Sequence, residues 1–355
     1  MPFENYENQQ RLSISAFAWE IIQHDMIMFN NNKFSNFINH IFESFYQEAN
    51  CSIAYQKTAL ENKLRSNLEP LLKRENKRAI AAETIQLLLT LKEQEGKVAV
   101  SKTLENKKGD YVSKVFRLND TNLNYLCGIT SNKQNNFMVC DEDKYYGAKK
   151  RKDYIECLLE EYCLLPYIER EKVYFSSYFD AINESIQKER QLDVKIDKKD
   201  IVYRIKPYAI RTNTQQTASY LVGYSFDMSK TVSFRISSIK SPPISRSVSA
   251  HLYKAEKEYL ESQISMKGVE YLVYDMSEVV VKFSEEGIRL YNRISTSRPL
   301  CNTTLESGKE ITFNCTLRQA EIYFWKLRHS VEIIAPQRLR DQFKKMYNDG
   351  EKLYQ

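Results

Sequence analysis

The sequence predicts an α+β protein, and three observations lead to that class. Apolar residues recur at three- and four-residue intervals through most of the first half of the chain, as they do on helices. Short alternating segments separated by polar turns follow over 192–236, and strands and helices alternate after residue 279. At roughly 150 residues per domain, a chain of 355 residues holds two or three domains. We predict three regions, which span 1–168, 169–246 and 247–355.

The chain opens with a predicted strand at 9–14, where it reads QQRLSI. Leu12 and Ile14 share one face of this strand, because successive side chains of a strand point to opposite faces. A helix is predicted over 15–29, and three asparagines end it. A second helix follows, since apolar residues recur at i, i+3, i+4, i+7, i+8 and i+11, namely Phe34, Phe37, Ile38, Ile41, Phe42 and Phe45. The first unit, near 9–47, is therefore strand, helix, helix.

A divergent second copy of this unit is predicted near 112–165. The segment VFRLND places Phe116 and Leu118 inward and Arg117 outward, and a short helical segment follows it. A later helix over 153–162 repeats the apolar spacing of the first copy through Tyr154, Ile155, Leu158, Leu159 and Tyr162. Connecting helices are predicted between the copies over 53–95, with a basic patch at Lys73, Arg74, Lys77 and Arg78.

Four or five strands are predicted between residues 192 and 236, and their number suggests a small β-barrel. They read LDVKI, IVYRIKPYAI, SYLVGYS and TVSFRI. We predict a helix before them, from about Glu169 to Arg190, and one after them, from about Ser247 to Ser265. The last third alternates VVVKF, a short helix to Ile294, ITFNC, a helix from Leu317 to Leu327, VEII, and a helix after Pro336. That alternation is consistent with a ferredoxin-like α+β unit.

Composition excludes several classes of function. The two closest of the nine glycines, Gly96 and Gly109, are 13 positions apart, so neither a Walker A loop nor a dinucleotide-binding turn can form. The four histidines do not lie at ligand spacing with Cys, Asp or Glu, and we expect no metal site and no cofactor. The seven cysteines include no CxxC pair and no catalytic signature. We expect a cytoplasmic, unexported protein without enzymatic activity or a membrane span.

Charge is compatible with a nucleic-acid partner. Lys and Arg number 52 against 46 Asp and Glu, a net charge of +6, and the chain holds 24 tyrosines. Cations and aromatic rings together suit nucleic acid where they cluster.

The first unit resembles the ribbon-helix-helix fold, in which two units pair their strands into an antiparallel ribbon. In such β-ribbon readers, outward side chains of the strands enter a groove, and the start of the later helix meets a phosphate. The resemblance implies nucleic-acid contacts by Gln9, Arg11, Ser13, Lys33 and Ser35 in the first copy. In the second copy it implies Arg117 and the residues before the later helix, Lys149, Lys150, Arg151 and Lys152.

The strands at 201–239 resemble a WYL domain, an SH3-like barrel, because KPYAI, SYLVGY and SFRISSI stand in that family's order and spacing. Ser219 replaces the family's usual Trp, whereas Tyr220 and Leu221 remain, and Ser238 stands where a second Arg often precedes the final Ile. Polar and basic residues of this barrel form a pocket for nucleic acid or a nucleotide-like effector in the family. By position, the resemblance implies Arg204, Lys206, Tyr208, Tyr220 and Arg235.

The tail resembles the extension that commonly follows WYL domains, which has a strand, a helix and a final motif read here as VEIIAPQRLR. Ribbon-helix-helix units joined to a WYL domain and this tail are similar to the accessory proteins of type VI-D CRISPR systems. Those proteins bind single-stranded RNA and stimulate the RNA-guided ribonuclease of the system. The resemblance therefore implies single-stranded RNA and that ribonuclease as partners.

Two other functions stay open at this point. A transcription regulator would insert the ribbon into duplex DNA and sense an effector in the WYL pocket. In a protein-interaction scaffold, the basic faces would be incidental to function, and nucleic-acid binding would be weak. The ribbon strands could pair within one chain or between two chains. We favour pairing between chains, and hence a homodimer with the tail as its dimerisation region, because the segment over 128–147 is longer than usual loops.

Overall fold

The computed structural model describes residues 9–44, 52–73, 75–105, 110–122, 151–196, 201–301 and 303–354. The chain divides into two compact units, Met1–Ser176 and Ser177–Gln355. Both combine helices with antiparallel strands, which confirms the predicted α+β class. Among the helices of these ranges, none is both long and apolar enough to cross a membrane.

The first unit opens with a strand and two short helices, in the predicted order. They are β1 (Gln9–Ser15), α1 (Ala16–Met28) and α2 (Phe34–Phe42). Ser15 caps α1, because its Oγ accepts a hydrogen bond from the Ala18 N–H at 3.1 Å.

A helical hairpin leads to the second strand. α3 (Ser52–Leu72) and α4 (Glu75–Glu105) pack against each other, as predicted for the connecting segment, and β2 (Tyr111–Arg117) follows. Because the hairpin returns the chain towards its start, β2 pairs antiparallel with β1 of the same chain along its whole length. The expectation that these strands pair between two chains was wrong. A homodimer stays a prediction.

The ribbon has one buried face and one outer face. Leu12 and Ile14 of β1 are fully buried, and Phe116 of β2 and Leu118 just beyond it are almost so. Arg117 is exposed between them. The alternation that the sequence predicts is therefore confirmed on both strands.

Two further helices complete the apolar core of this unit, α5 (Arg151–Leu164) and α6 (Tyr167–Tyr174). Most residues predicted to face inward on α2 and α5 are buried, namely Phe37, Ile38, Ile41, Phe42, Ile155, Leu158, Leu159 and Tyr162, whereas Phe34 is half-buried. Phe45 and the side chain of Tyr154 lie outside the described residues.

Matching contacts relate the two copies of the unit. In the first, Ser15 caps its helix and its Oγ donates to Glu160 Oε2 of α5 at 2.7 Å. In the second, Asn119 Oδ1 accepts the Asn122 N–H at 2.8 Å, and Asn119 Nδ2 donates to Glu43 Oε1 at 3.3 Å. Each strand thus ends in a helix cap that contacts a glutamate from the other copy's helix region, as expected for an internal duplication.

A buried ionic network joins α1, α5 and α6. Asp25 is fully buried, and Arg170 binds it through two hydrogen bonds, Nε to Oδ2 at 2.6 Å and Nη2 to Oδ1 at 3.0 Å. The Tyr162 hydroxyl donates to Asp25 Oδ2 at 2.8 Å, and Arg170 Nη1 donates to the Leu165 carbonyl at 2.6 Å. Burial first, and then the charge of Asp25, raise the pKa of Tyr162 well above its usual value. Its hydroxyl therefore remains a donor at neutral pH.

The helix predicted over 169–190 is two helices. α7 (Ser176–Gln187) follows α6 after a break at Phe175, whose ring is buried against Phe29 and Tyr174. The first predicted region boundary, between residues 168 and 169, falls inside α6.

A five-stranded antiparallel sheet follows in the second unit. Its strands lie in the order β6, β5, β4, β3, β7, and their bounds are β3 (Arg190–Lys195), β4 (Val202–Thr212), β5 (Ser219–Ser225), β6 (Lys230–Arg235) and β7 (Ile244–Ser249). Within the described ranges the edge strands β6 and β7 are not paired with each other, so the sheet does not close into a barrel, and the SH3-like description stays a prediction. A helix, rather than further strand pairing, covers one of its faces.

The remainder of the second unit alternates helices and strands almost as predicted. The elements are α8 (Lys254–Lys267), β8 (Met276–Phe283), α9 (Glu285–Arg293), β9 (Glu310–Thr316), α10 (Leu317–Lys326), β10 (Val331–Ala335) and α11 (Gln337–Glu351). α8 begins seven residues later than predicted, because residues 244–249 form β7. The strands lie in the order β10, β8, β9. A ferredoxin-like unit needs four strands, and only three are present here in the described residues.

Gly287 fits α9 against the backbone of residue 330. A Cβ at Gly287 would lie 2.2 Å from the Ser330 carbonyl oxygen. We expect Gly287→Ala to lower the free energy of unfolding of the second unit by about 1–3 kcal/mol through this overpacking. Chemical denaturation of a Trp19→Phe background, which leaves Trp325 as the single tryptophan, reports on this unit.

The control for this prediction is Gly350→Ala in α11, where an added Cβ meets nothing within 4 Å. That change should be neutral or slightly stabilising, since alanine favours a helix over glycine. Equal effects of the two substitutions would contradict the role given to Gly287.

Candidate nucleic-acid interface

The outer face of the ribbon brings together four of the residues predicted to contact nucleic acid in the first unit, Gln9, Arg11, Ser13 and Arg117. Gln9, Arg11 and Ser13 alternate outward on β1. Gln9 lies opposite Arg117 and Arg11 lies opposite Val115, which is 45% exposed. Opposed residues share a face of an antiparallel pair. The face is therefore polar and cationic, with an apolar patch beside Arg11.

The first turn of α2 contacts the end of the ribbon at which Gln9 and Arg117 lie. Lys33 is the N-cap of α2, and Ser35 Oγ accepts the Arg117 N–H at 3.3 Å. Asn39, one turn further on, donates through Nδ2 to the Arg117 carbonyl at 2.8 Å. The predicted residues Ser35 and Arg117 are thus in contact, and the Ser35 hydroxyl is already used by the backbone. A helix start also contributes a partial positive charge at this end.

Two cations of this surface have no ionic neighbour. The side chains of Arg11 and Lys33 are exposed and form no ion pair with the described part of the chain. A cation without an ion-pair partner can bind an incoming anion without first losing a carboxylate.

Two glutamates of α5 bind backbone amides along the edge of β1 that does not pair with β2. The Ser13 N–H donates to Glu156 Oε1 at 2.5 Å, and the Ser15 N–H donates to Glu160 Oε1 at 2.7 Å. The edge strand is therefore protected from pairing with another strand. Lys152 Nζ lies 3.5 Å from Glu156 Oε1 and neutralises that carboxylate. The predicted cations Lys149 and Lys150, and the side chain of Arg151, lie outside the described residues.

In the second unit, all five residues implied by the WYL resemblance lie on or beside one face of the sheet. Arg211, Tyr220 and Arg235 are neighbours across β4, β5 and β6. Lys206 lies on the same face of β4, and Tyr208 lies at the register shift between Pro207 and Ala209. This group, Lys206, Tyr208, Arg211, Tyr220 and Arg235, is called the sheet face below.

The sheet face is covered by α8. Tyr208, Tyr220 and Val222 pack with Leu252 and Leu260, which are buried. The expectation that these residues form a binding pocket stays a prediction. The cover itself is a tertiary feature, because a helix some 50 residues later in the sequence folds back onto the strand.

Glutamates of α8 bind the polar groups of the sheet face. Lys206 Nζ donates to Glu256 Oε1 at 2.8 Å, while Tyr208 OH and Arg211 Nη2 both donate to Glu261 Oε1, at 2.5 and 2.6 Å. The hydrogen bond from Tyr208 and then that from Arg211 hold the pKa of Glu261 below its usual value. The hydrogen bond from Lys206 does the same for the pKa of Glu256. Both carboxylates are thus ionised at neutral pH.

Arg204 and Arg235 have acidic neighbours of their own. Arg204 Nη2 lies 2.6 Å from Asp227 Oδ1, and hydrogen bonds from Arg204 lower the pKa of Asp227. Arg235 lies near Glu270, whose pKa is raised by burial. The Arg204 guanidinium is therefore bound by the β5–β6 turn.

The sequence did not reveal Arg211, Glu256 or Glu261 as parts of this site. Arg211 follows the KPYAI motif directly, and its register opposite Tyr220 is the signal that could have found it. The two glutamates lie on an ordinary charged helix, and no local pattern links them to a strand.

Reactive or metal-binding chemistry has little support in the described ranges. They contain no group of three or more His, Cys, Asp or Glu that could hold a metal ion. Burial raises the pKa of Cys315 to about 12 and that of Cys163 well above its usual value. These two thiols are protonated at neutral pH and are poor nucleophiles.

Comparison with known proteins identifies the fold. No protein-family model and no curated protein sequence matches the chain. A solved structure described as a CRISPR Cas-related protein matches with a TM-score of 0.71 at 18% identity, over 98% of this chain and 94% of that one. The chain shares the fold of that protein. Proteasome accessory factor B/C of Arthrobacter aurescens also matches, at 12% identity over 65% of this chain and 36% of that one, but its TM-score is 0.29 and carries no argument.

Proposed function

We propose that this protein is a non-catalytic accessory protein of a CRISPR system that binds single-stranded RNA through the outer face of its ribbon. The observation that carries the proposal is the pair of exposed cations, Arg11 and Lys33, which have no ionic neighbour in the described part of the chain. Arg117 lies on the ribbon face with Arg11, and the start of α2, which carries Lys33, contacts Arg117 through Ser35. The shared fold with a CRISPR Cas-related protein supports the biological setting.

Binding through this surface is a matter of charge and contact. Arg11 and Lys33 would each neutralise a phosphate and release the counterions condensed on the RNA. The amides at the start of α2 favour a further phosphate. Val115 and the stems of the cations give apolar area against which an unpaired base can lie. No bond is made or broken in this mechanism.

The finer assignment rests on resemblance. The order of ribbon, WYL-like sheet and tail is similar to accessory proteins of type VI-D systems, and we propose the RNA-guided ribonuclease of such a system as the partner. The strand order of the five-stranded sheet, with a 3-10 turn at Ile236–Ser238 before the last strand, supports the SH3-like description. Holding RNA near the ribonuclease would raise its effective concentration and so stimulate cleavage.

A DNA-binding regulator is the second candidate, and the ribbon itself favours it. A seven-residue antiparallel ribbon flanked by helix starts is the element that β-ribbon readers place in a groove of duplex DNA. In that case the same cations would contact the two phosphate backbones that border the groove.

Titration of the purified protein with an unstructured single-stranded RNA and with random duplex DNA of equal length, each at two salt concentrations, separates the two candidates. We expect tighter binding of the RNA at both salt concentrations, and weaker binding of both ligands at the higher one. Preference for the duplex would make the protein a DNA-binding regulator. Equally weak binding of both ligands would contradict the proposed role of Arg11 and Lys33 in nucleic-acid binding.

A further inference from the structure

α4 carries two apolar stripes, and one of them is exposed. The helix packs against α3 and α5, and its buried stripe recurs every four residues, through Ala81, Ile85 and Leu89. The large apolar side chains of the second stripe are 66, 61, 37 and 47% exposed, in the order Ile80, Leu87, Leu88 and Leu91. Together with Thr84 they are called the outer stripe below. Contiguous exposed apolar surface of this kind marks an interaction site.

The spacing of the outer stripe is that of a coiled coil. Ile80, Thr84, Leu87 and Leu91 are separated by four, three and four residues. This is the alternation of a and d positions in a heptad repeat, in which each side chain inserts between side chains of a facing helix. The expected occupant of the outer stripe is therefore another helix.

Thr84 is the polar member of the outer stripe, and its hydroxyl already has a partner. Its Oγ1 donates to the Ile80 carbonyl at 2.8 Å within the same helix. Burial of Thr84 therefore leaves no donor unsatisfied, and its methyl group adds to the apolar surface. The whole outer stripe can thus be covered by apolar side chains.

The outer stripe is complementary to a second copy of itself. Intervals of four, three and four read the same in both directions. An antiparallel copy therefore sets Ile80 against the partner's Leu91, and Thr84 against the partner's Leu87. A two-fold axis repeats each of these contacts, as it does in every isologous interface.

Charge favours the antiparallel arrangement over the parallel one. Residues 75–82 hold two cations and one carboxylate, whereas residues 89–96 hold two carboxylates and one cation. An antiparallel copy brings these two segments together with opposite net charge. A parallel copy would set the exposed side chains of Lys77 and Glu83 each against its own equivalent, and like charges repel.

We propose that the outer stripe of α4 joins two copies of this chain as an antiparallel helix pair. The interface lies on the helical hairpin rather than on the tail, and it shares no residue with the ribbon. Each pair of chains carries two ribbons, so a long RNA that bound one ribbon would meet the second at a raised effective concentration. Self-association itself does not depend on RNA, and failure of RNA binding would leave this inference intact.

The test compares wild type with the Leu87→Gln, Leu91→Gln variant by sedimentation velocity without RNA, over a range of protein concentrations. We expect the dissociation constant for self-association to rise about 100-fold or more, because four leucine side chains lose apolar burial in each pair of chains. Where wild type is associated, the variant should have half its mass. Both side chains are exposed in the single chain, and an unchanged circular dichroism spectrum checks the fold.

The matched control makes the same change at two exposed leucines of the tail, Leu300 and Leu353. Leu300→Gln with Leu353→Gln should leave the mass of the particle unchanged. A halved mass in this control, with the outer-stripe variant still associated, would place the interface in the tail and overturn the inference. A wild type that sediments as a single chain at every concentration would overturn it as well.

A second pair of variants tests the antiparallel register. Because Thr84 faces the partner's Leu87 in that register, chains with Thr84→Lys should pair with chains with Leu87→Glu more tightly than either variant pairs with itself. The two variants carry different tags, and the mixed pairs are recovered through one tag and counted through the other. A mixed fraction no larger than random pairing gives would overturn the antiparallel arrangement.

Discussion

Asp25→Asn is expected to lower the free energy of unfolding of the first unit by about 3–5 kcal/mol, because it leaves the buried guanidinium of Arg170 without its counter-charge. Arg170 is only 8% exposed and donates two hydrogen bonds to this carboxylate. Chemical denaturation followed by Trp19 fluorescence in a Trp325→Phe background measures the effect. Trp19 lies on α1 and packs against Phe34 at 5.5 Å between ring centroids, so it reports on this unit.

Two controls make this prediction specific. Glu20→Gln removes a charge from an exposed position of the same helix and should change the free energy of unfolding by less than about 0.5 kcal/mol. Arg170→Met combined with Asp25→Asn should cost less than the sum of the two single changes, since neither charge is then left alone. Strict additivity would show that Asp25 and Arg170 do not act as a pair.

Arg11→Gln with Lys33→Gln is expected to weaken binding of single-stranded RNA roughly 5- to 150-fold, from two lost hydrogen bonds of about 0.5–1.5 kcal/mol each. Fluorescence anisotropy at low salt measures it. Both side chains are exposed, so the fold should be unaffected, and an unchanged circular dichroism spectrum and thermal midpoint check this.

The control for the ribbon variant removes two other lysines. Lys309→Gln and Lys352→Gln lower the net charge equally, but these lysines pair with Glu306 and Asp349 in the second unit. They should change RNA affinity much less than the ribbon variant. Similar losses from both variants would indicate attraction by overall charge rather than contact at the ribbon.

Much of the fold could be predicted from the sequence because the signals are local. The alternation of Leu12 and Ile14 with polar residues fixes which face of β1 is buried. The strand at VVVKF and the helix after Pro336 likewise lie where their patterns place them. The two-residue period of strands and the 3.6-residue period of helices depend only on backbone geometry. These patterns can therefore be recognised in the sequence whatever the element packs against.

The pairing of elements was harder to predict than the elements themselves. The sequences of β1 and β2 alone do not determine whether the strands pair within one chain or between two. The pairing depends on the path of α3 and α4, which bring β2 back to β1 of the same chain. The open sheet and the three-stranded tail were missed for a similar reason. Strand count suggests a barrel or a ferredoxin-like unit, but strand order and edge pairing are set by contacts distant in sequence.

The candidate site shows the same difference between local and tertiary signals. The outward position of the ribbon residues follows from strand alternation and could be predicted, whereas the packing of α8 over the sheet face could not. Lys206 and Tyr208 read as binding residues in isolation, and only the fold brings Glu256 and Glu261 to them across 50 and 53 residues. A cation's availability is therefore a tertiary property, even where its position on a strand is a local one.

The salt dependence of RNA binding tests the central claim most directly, because it counts the phosphates that the ribbon contacts. For single-stranded nucleic acid the slope of log affinity against log salt changes by about 0.7 per phosphate. We predict that Arg11→Gln with Lys33→Gln makes the slope shallower by about 1.4, whereas Lys309→Gln with Lys352→Gln leaves it unchanged. A slope that is the same in wild type and the ribbon variant would contradict phosphate contact by Arg11 and Lys33, and with it the ribbon as the RNA-binding surface.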